Sequence, residues 1–223
     1  MSESRERIAK RIAKFFTDGQ LVNLGIGLPT LVANYLPEGL EIDFHGENGV
    51  IGLGASPFED QVDKDIYNAG VQPATVLPGA SCFDSAMSFS VIRGGHVDIT
   101  VLGALEVDQE GSLANWIVPG KMVPGMGGAM DLVSGANTVI IAMEHCTKNG
   151  DSKVLKKCTL PLTAYRQVNY IVTELCVLKV VHDGLQLLET APGITPEYVQ
   201  SKTEAPLIIS SAQIASASWT LAQ

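Results

Sequence analysis

Glu47 stands in the run His45-Gly46-Glu47-Asn48-Gly49-Val50-Ile51-Gly52-Leu53-Gly54, just after the strand-like Ile42-Asp43-Phe44. Flanking glycines leave its γ-carboxylate open to a ligand and let backbone N–H groups approach whatever it binds. The end of a strand is also where ligand crevices form in α/β sheets. A carboxylate of ordinary acidity is ionised at pH 7 and needs no base to act as a nucleophile. It is a weak nucleophile, useful against activated acyl groups such as thioesters. Attack there gives a mixed anhydride and a thiolate, and the thiolate can return to make a glutamyl thioester. Read without chemistry, the same residue is a turn carboxylate capping the Asn-Gly amides. The local pattern leaves both readings open.

Two glycine-rich stretches could serve such a carboxylate. Gly25-Ile26-Gly27-Leu28-Pro29 is a tight strand-to-helix turn whose amides can face an anion, or simply a packing turn. It is not a dinucleotide fingerprint, because a proline-led helix start replaces the third glycine. Pro119–Met130 holds four glycines and two prolines in twelve residues, which precludes a regular element. Its free amides can form an oxyanion hole, and its three methionines equally suit a subunit-contact loop. Ser85 and Ser88 have no His or Asp partner at a suggestive spacing, which argues against a serine hydrolase. Met143-Glu144-His145 ends a strand and reads as structural. His145 and Cys146 are adjacent, so their side chains project apart, and no second pair completes a metal site.

These loops need elements to position them. Arg5–Asp18 reads as an amphipathic helix, its basic residues alternating with Ile8, Ile12, Phe15 and Phe16 and Gly19 as its stop. Leu21–Leu24 reads as a buried strand, and Pro29 opens a second helix through about Tyr35. Ile42–Phe44 is the strand that delivers Glu47. Ala74–Gly79 reads as a short strand, and Ser85–Ile92 as a helix capped by Asp84 and ended by Gly94-Gly95. Asp98–Gly103 and Thr138–Met143 are apolar, β-branched runs suited to strands covered on both faces. Asp131–Ser134 reads as a helical turn between them. Tyr170–Thr173, then Val177–Val181 turning at His182-Asp183-Gly184 into Leu185–Leu188, read as strands, and a short helix starts near Thr195. Strands alternating with helices predict an α/β fold, a single open, mostly parallel sheet flanked by helices, in one domain over residues 1–223. The last fifteen or so residues read as poorly ordered or bound to a partner.

Composition agrees with an enzyme of this class. Of 223 residues, 46% are hydrophobic and only 17% charged, so a sizeable core can be buried, and 22 glycines supply several shaped loops. A net charge of −9 argues against DNA or an anionic membrane as partner. The four cysteines lack C-x-x-C spacing, and no apolar run reaches the ~18 residues of a membrane span. A cytoplasmic protein with reduced thiols and no metal is the expectation.

Taken together, the motifs resemble the β subunit of class I CoA-transferases, of the acetate/butyrate–acetoacetate type. The resemblance rests on Asn23–Thr30, Glu47-Asn48-Gly49, Asn68-Ala69-Gly70, Ser88–His96, Leu113–Trp116, Pro119–Leu132 and Thr159–Thr163, in that order, and spans residues 6 to 207. It implies that Glu47 is the catalytic carboxylate of a ping-pong reaction in which CoA is held as a glutamyl thioester. It implies an oxyanion-hole amide at Gly128 and an amide side chain near the glutamate at Asn23. It assigns Gly25, Gly27, Asn48, Gly49, Gly127 and Lys121 to binding CoA and substrate, with CoA a substrate and no cofactor. It further implies an α subunit supplying much of the CoA surface, in an α2β2 or larger hetero-oligomer. Position 46 is Gly where the family usually has Ser. Val71 follows the Asn-Ala-Gly box where succinyl- and oxoadipate-using relatives have Lys, which disfavours dicarboxylic acids and favours acetate, butyrate or acetoacetate. Two alternatives to a transferase are a non-catalytic acyl-CoA or sugar-phosphate binding module, and an acyl-CoA hydrolase using the same glutamate.

Overall fold

The computed structural model describes residues 2–68, 70–121, 123 and 125–210; the expectation for the C-terminal tail falls largely outside them. The chain runs α1 (Glu3–Ala13), β1 (Gln20–Leu24), a 3-10 helix (Leu28–Tyr35), β2 (Ile42–Gly46), β3 (Val50–Leu53), β4 (Val76–Cys82), α2 (Ser85–Arg93) and β5 (Ile99–Leu102). It continues through β6 (Glu106–Asp108), β7 (Leu113–Ala114), α3 (Ala129–Gly135), β8 (Thr138–Ala142), β9 (Val154–Leu155) and β10 (Tyr170–Val172). It closes with β11 (Cys176–Val181), β12 (Gly184–Thr190), α4 (Pro196–Lys202) and β13 (Leu207–Ile208).

Ten strands form one sheet in the order β13-β12-β11-β10-β8-β5-β1-β2-β3-β4. Its middle, β10-β8-β5-β1-β2, is parallel throughout, and antiparallel strands are added on both flanks. The expected open, mostly parallel sheet flanked by helices is present. It is not the only sheet, because β7, β6 and β9 pair in a separate three-stranded one. Each of those strands is two or three residues long, too short to show alternation.

Both faces of the parallel strands are covered, which is why they read as continuous apolar runs. Successive residues point to opposite faces. Val139 and Ile141 of β8 therefore join the core under α2, α3 and α4, while Ile140 and Ala142 join the core under α1 and the 3-10 helix. Ile8 and Ile12 of α1 are fully buried there, and burying each contributes about 1.5–3 kcal/mol. Arg11 also reaches back from α1 to Glu189 of β12 as a two-pronged ion pair, a planar fork matched to a carboxylate.

The first helix ends at Ala13 rather than Asp18. Phe15 and Phe16 continue the apolar pattern, but they lie in the turn beyond Lys14, and the Gly19 N–H pairs with Glu41 instead. The helix opened by Pro29 is 3-10, not α. The strand expected at Ala74–Gly79 begins later, at Val76, and runs to Cys82 at the sheet edge, where Pro78 needs no ladder partner for its missing N–H. Asp84 caps α2 by accepting from the Met87 N–H, and Thr195 caps α4 in the same way through Tyr198, as expected.

The crevice follows from the strand order. β2 and β5 flank β1 on opposite sides, so the chain reverses direction across the sheet at β1. In open α/β sheets ligands bind beyond the carboxyl ends of the strands at such a point. The loops at Gly25, Glu47 and Gly103 all leave the sheet there.

Candidate active site

Glu47 opens the three-residue connection between β2 and β3, an antiparallel hairpin in which Gly46 faces Val50. The Gly49 N–H closes the turn on the Gly46 carbonyl at 2.9 Å. Gly49 has φ +120°, and a Cβ there would sit 2.0 Å from the Phe83 carbonyl oxygen. Only glycine fits, and its presence turns the chain back so that Glu47 stands at the tip.

The Gly128 N–H donates to Oε1 of Glu47 at 3.0 Å, joining positions 81 residues apart. Gly128 is buried and immediately precedes α3. A Cβ at Gly128 would meet Cδ and Oε1 of Glu47 at 3.0 Å, and one at Gly127, where φ is +50°, would meet Oε1 at 3.3 Å. The two glycines form a wall against which the half-exposed carboxylate lies. Glu47 and Gly128 are the sequence-derived pair that the fold brings together.

The remaining candidates are distributed differently. Asn23 on β1 is fully buried, and its amide bonds to the His45 carbonyl at 3.1 Å and to Thr100, not to Glu47. In this structure the Asn23 amide holds the strand that leads to the glutamate. The Gly25 N–H continues the sheet ladder to the Val101 carbonyl at 2.8 Å, which fits the packing-turn reading and not an amide turned to an anion. Gly27 takes φ +87° ahead of the 3-10 helix, and its carbonyl accepts from Thr30. Asn48 is exposed and donates to the Tyr67 carbonyl at 2.8 Å, tying the turn to the neighbouring loop, while the Gly49 amide is spent closing the turn. Lys121 is exposed in the glycine loop, its backbone N–H bonded to Val118, and among the described residues its ammonium forms no ion pair.

A cleft of about 270 Å³ opens beside the backbone of His45 and Gly46, walled by Thr30, Phe44, Leu53, Asn68 and Gln72. No lysine or arginine lines it among the described residues. Its rim includes Asn68, Gly70 and Gln72, part of a turn in which Asn68 Oδ1 accepts from the Gly70 and Gln72 N–H groups. That turn holds Val71 at φ +58°, an uncommon conformation for a β-branched residue, with its side chain in solvent. Gly46 also has a visible reason. A Cβ there would lie 2.6 Å from Asn48 Oδ1 and 2.9 Å from Leu53 Cδ1, so those side chains occupy the space a serine would claim.

A constellation that sequence spacing did not reveal lies directly behind Glu47. His45 Nε2 is 2.9 Å from Ser88 Oγ, and its Nδ1 is 3.4 Å from Asn23 Nδ2. All three side chains are buried, and burial pushes the His45 imidazole down to about 4 from its ordinary 6.5. His145 is another buried, neutral histidine, bonded to Thr173 and Thr203, while the Cys146 thiol points toward the Lys202 carbonyl. Among the described residues no three His, Cys, Asp or Glu side chains are arranged to hold a metal ion, all four cysteines are free, and no helix is long and apolar enough to cross a membrane.

A carboxylate at a hairpin tip, faced by a buried backbone N–H from a glycine loop, suits covalent acyl chemistry. The chain belongs to the coenzyme A transferase family, whose model matches residues 5–202. It is 57% identical over 203 residues to the beta subunit of the acetate CoA-transferase of Escherichia coli K12, covering 91% of this chain and 93% of that one. It is 58% identical over 206 residues to the beta subunit of the acetate CoA-transferase of Haemophilus influenzae Rd, covering 92% of each. Among solved structures it resembles the acyl-CoA transferase YdiF of Escherichia coli O157:H7, with TM-score 0.73 and 20% identity, over 95% of this chain. The likeness to YdiF is one of fold, and this chain spans only 43% of it.

Proposed function

We propose that this chain is the catalytic β subunit of a CoA-transferase that carries CoA as a thioester on Glu47. The observation that supports it best is the 3.0 Å hydrogen bond from the Gly128 N–H to Glu47 Oε1. In the first step Oε2 attacks the acyl-CoA carbonyl and CoA thiolate leaves, forming a mixed anhydride between the acyl group and Glu47. The thiolate then attacks Cδ of Glu47, the negative charge develops on Oε1, and collapse expels the carboxylate product. What remains is glutamyl-CoA. An incoming acid reverses the sequence and departs as the new acyl-CoA, so protons are neither taken up nor released.

The Gly128 N–H is within the 2.7–3.1 Å at which a donor stabilises a developing oxyanion, and it already points at the oxygen that must bear the charge. A preformed donor requires no reorganisation as the charge develops. The cleft beside Gly46, with apolar and amide walls and no lysine or arginine among the described residues, suits an uncharged short acyl chain, which favours monocarboxylic or 3-oxo acids such as acetate, butyrate or acetoacetate. The two acetate CoA-transferase relatives are named as beta subunits, which supports an α partner, and the site is read as completed by that partner in a hetero-oligomer. CoA is substrate here, and no cofactor takes part in the scheme.

The test is a co-purified complex with the α partner. Glu47→Ala and Glu47→Gln should abolish transfer, and borohydride should inactivate the wild type only after acyl-CoA is added. Wild-type activity in Glu47→Ala would overturn the reading.

A further inference from the structure

Thr100, Asn23 and His45 lie at one level across β5, β1 and β2, since Asn23 is the register partner of both others. Ser88 meets this polar row from α2, and all four residues are at most 2% exposed. Buried polar groups must satisfy one another, and here the directions can be assigned. Thr100 donates to Asn23 Oδ1 at 3.4 Å. The Asn23 amide N–H groups point to the His45 carbonyl and to its Nδ1, which leaves Nδ1 an acceptor and places the ring proton on Nε2. Nε2–H then donates to Ser88 Oγ at 2.9 Å. A neutral imidazole thus completes a one-way chain from Thr100 to Ser88. Asn23, His45 and Ser88 have the composition of a hydrolytic triad, but a fully buried Ser88 Oγ meets no substrate.

Its place in the fold suggests another task. His45 is two residues before Glu47 on the same hairpin. Ser88 is on α2, which packs against α3, and Gly128 immediately precedes α3. The two helices are held tightly: a Cβ at Gly135 would lie 2.2 Å from the Ile92 carbonyl oxygen, and Arg93 bonds to Asp131 across them at 2.7 Å. The His45–Ser88 hydrogen bond is therefore a side-chain link between β2, which leads into Glu47, and the helix pair that Gly128 precedes.

We propose that His45 and Ser88 are positioning residues, an uncharged buried tether that sets the distance between the Glu47 carboxylate and the Gly128 N–H. This rests on the reading of Glu47 as nucleophile. Ser88→Ala and His45→Leu remove the tether, whereas His45→Gln keeps an N–H donor for Ser88. The α–β complex of each is mixed with acyl-CoA and no acceptor, and formation of glutamyl-CoA is timed by quenched flow and mass spectrometry. Ser88→Ala and His45→Leu should slow adduct formation by about 10–100-fold, the cost of sub-ångström misplacement, with the half-saturating acyl-CoA concentration unchanged within about twofold. His45→Gln should recover most of the rate.

The decisive readout is coupling to Gly128. In a Gly128→Ala background, where the contact is already broken, Ser88→Ala should slow the reaction less than about threefold further. Effects that multiply fully, or a Ser88→Ala complex that loses thermal stability but not rate, would overturn the proposal. Ser88→Ala deletes a single oxygen, so it reports even if His45→Leu fails to fold. Absence of any adduct in the wild type would instead defeat the reading of Glu47, which separates the two failures.

Discussion

Gly128→Ala tests the geometry of the site with little disturbance elsewhere. The backbone there, at φ −84° and ψ 6°, is open to alanine, so the substitution adds one methyl group without forcing the chain. That methyl would lie 3.0 Å from both Cδ and Oε1 of Glu47 and 3.3 Å from Oε2, against ordinary contacts of 3.4–4 Å. The obstructing atoms are the end of a flexible side chain, so the carboxylate retreats and the fold stays, at a cost below about 1 kcal/mol of stability. Retreat of about 0.5 Å or more stretches the N–H···Oε1 bond out of the useful range. Losing an oxyanion donor typically costs about 10²–10³ in rate, or roughly 2.7–4 kcal/mol of barrier. The assay is kcat of the α–β complex, with its melting temperature as control. A Gly128→Ala complex within threefold of wild-type kcat would refute the assignment of Gly128 as the oxyanion donor.

Other perturbations follow from neighbouring geometry. Gly49→Ala places a Cβ 2.0 Å from the Phe83 carbonyl oxygen at a φ of +120°, and should cost about 4 kcal/mol or more; a melting curve like the wild type's would contradict this. Gly46→Ser displaces only the ends of Asn48 and Leu53, so it should lose the Asn48–Tyr67 hydrogen bond, about 1 kcal/mol or some 2–4 °C in melting temperature, while keeping activity; an aggregated protein would count against it. The neutral histidines predict acid sensitivity. Burial holds His45 and His145 to about 4, with the Lys153 charge adding to the effect at His145, while the unfolded chain takes up protons near 6.5. Stability should be insensitive to these groups above pH 6.5 and should fall as pH drops from 6.5 toward 4, by at most about 2.7 kcal/mol per pH unit for the pair. Urea midpoints at pH 7, 6 and 5 measure this, and a flat series would refute it.

The parts of the site legible in the sequence are those coded locally. Ile42–Phe44 reads as a strand that delivers Glu47 at its end, which needs no distant information. The return strand Val50–Leu53 was hidden because Gly52 and Gly54 break its pattern. Gly128 came from family resemblance, since nothing in a glycine-rich loop says which amide will face a carboxylate 81 residues away. At Gly25 the sequence offered an anion-facing amide or a packing turn, and the second holds, because the parallel ladder continues one residue past β1 and uses the amide. The Asn23–His45 pairing is a product of register, and Ser88 joins it by the packing of α2 on the sheet. Parallel neighbours are joined by long crossovers, so which residues stand side by side is decided by the pairing of strands and not by spacing. Phe15 and Phe16 show the same limit for helices, because apolar periodicity continues through a turn that buries Phe16 and partly buries Phe15.

The central claim is that Glu47 carries CoA, and one measurement tests it directly. The purified α–β complex is incubated with acyl-CoA, without acceptor acid, and the β chain is analysed by intact mass and peptide mapping. A mass gain corresponding to CoA less one water, confined to the peptide containing Glu47 and removed by an added carboxylic acid, is the predicted result. An active complex with no adduct under trapping conditions, or with CoA attached to a different residue, would contradict the account.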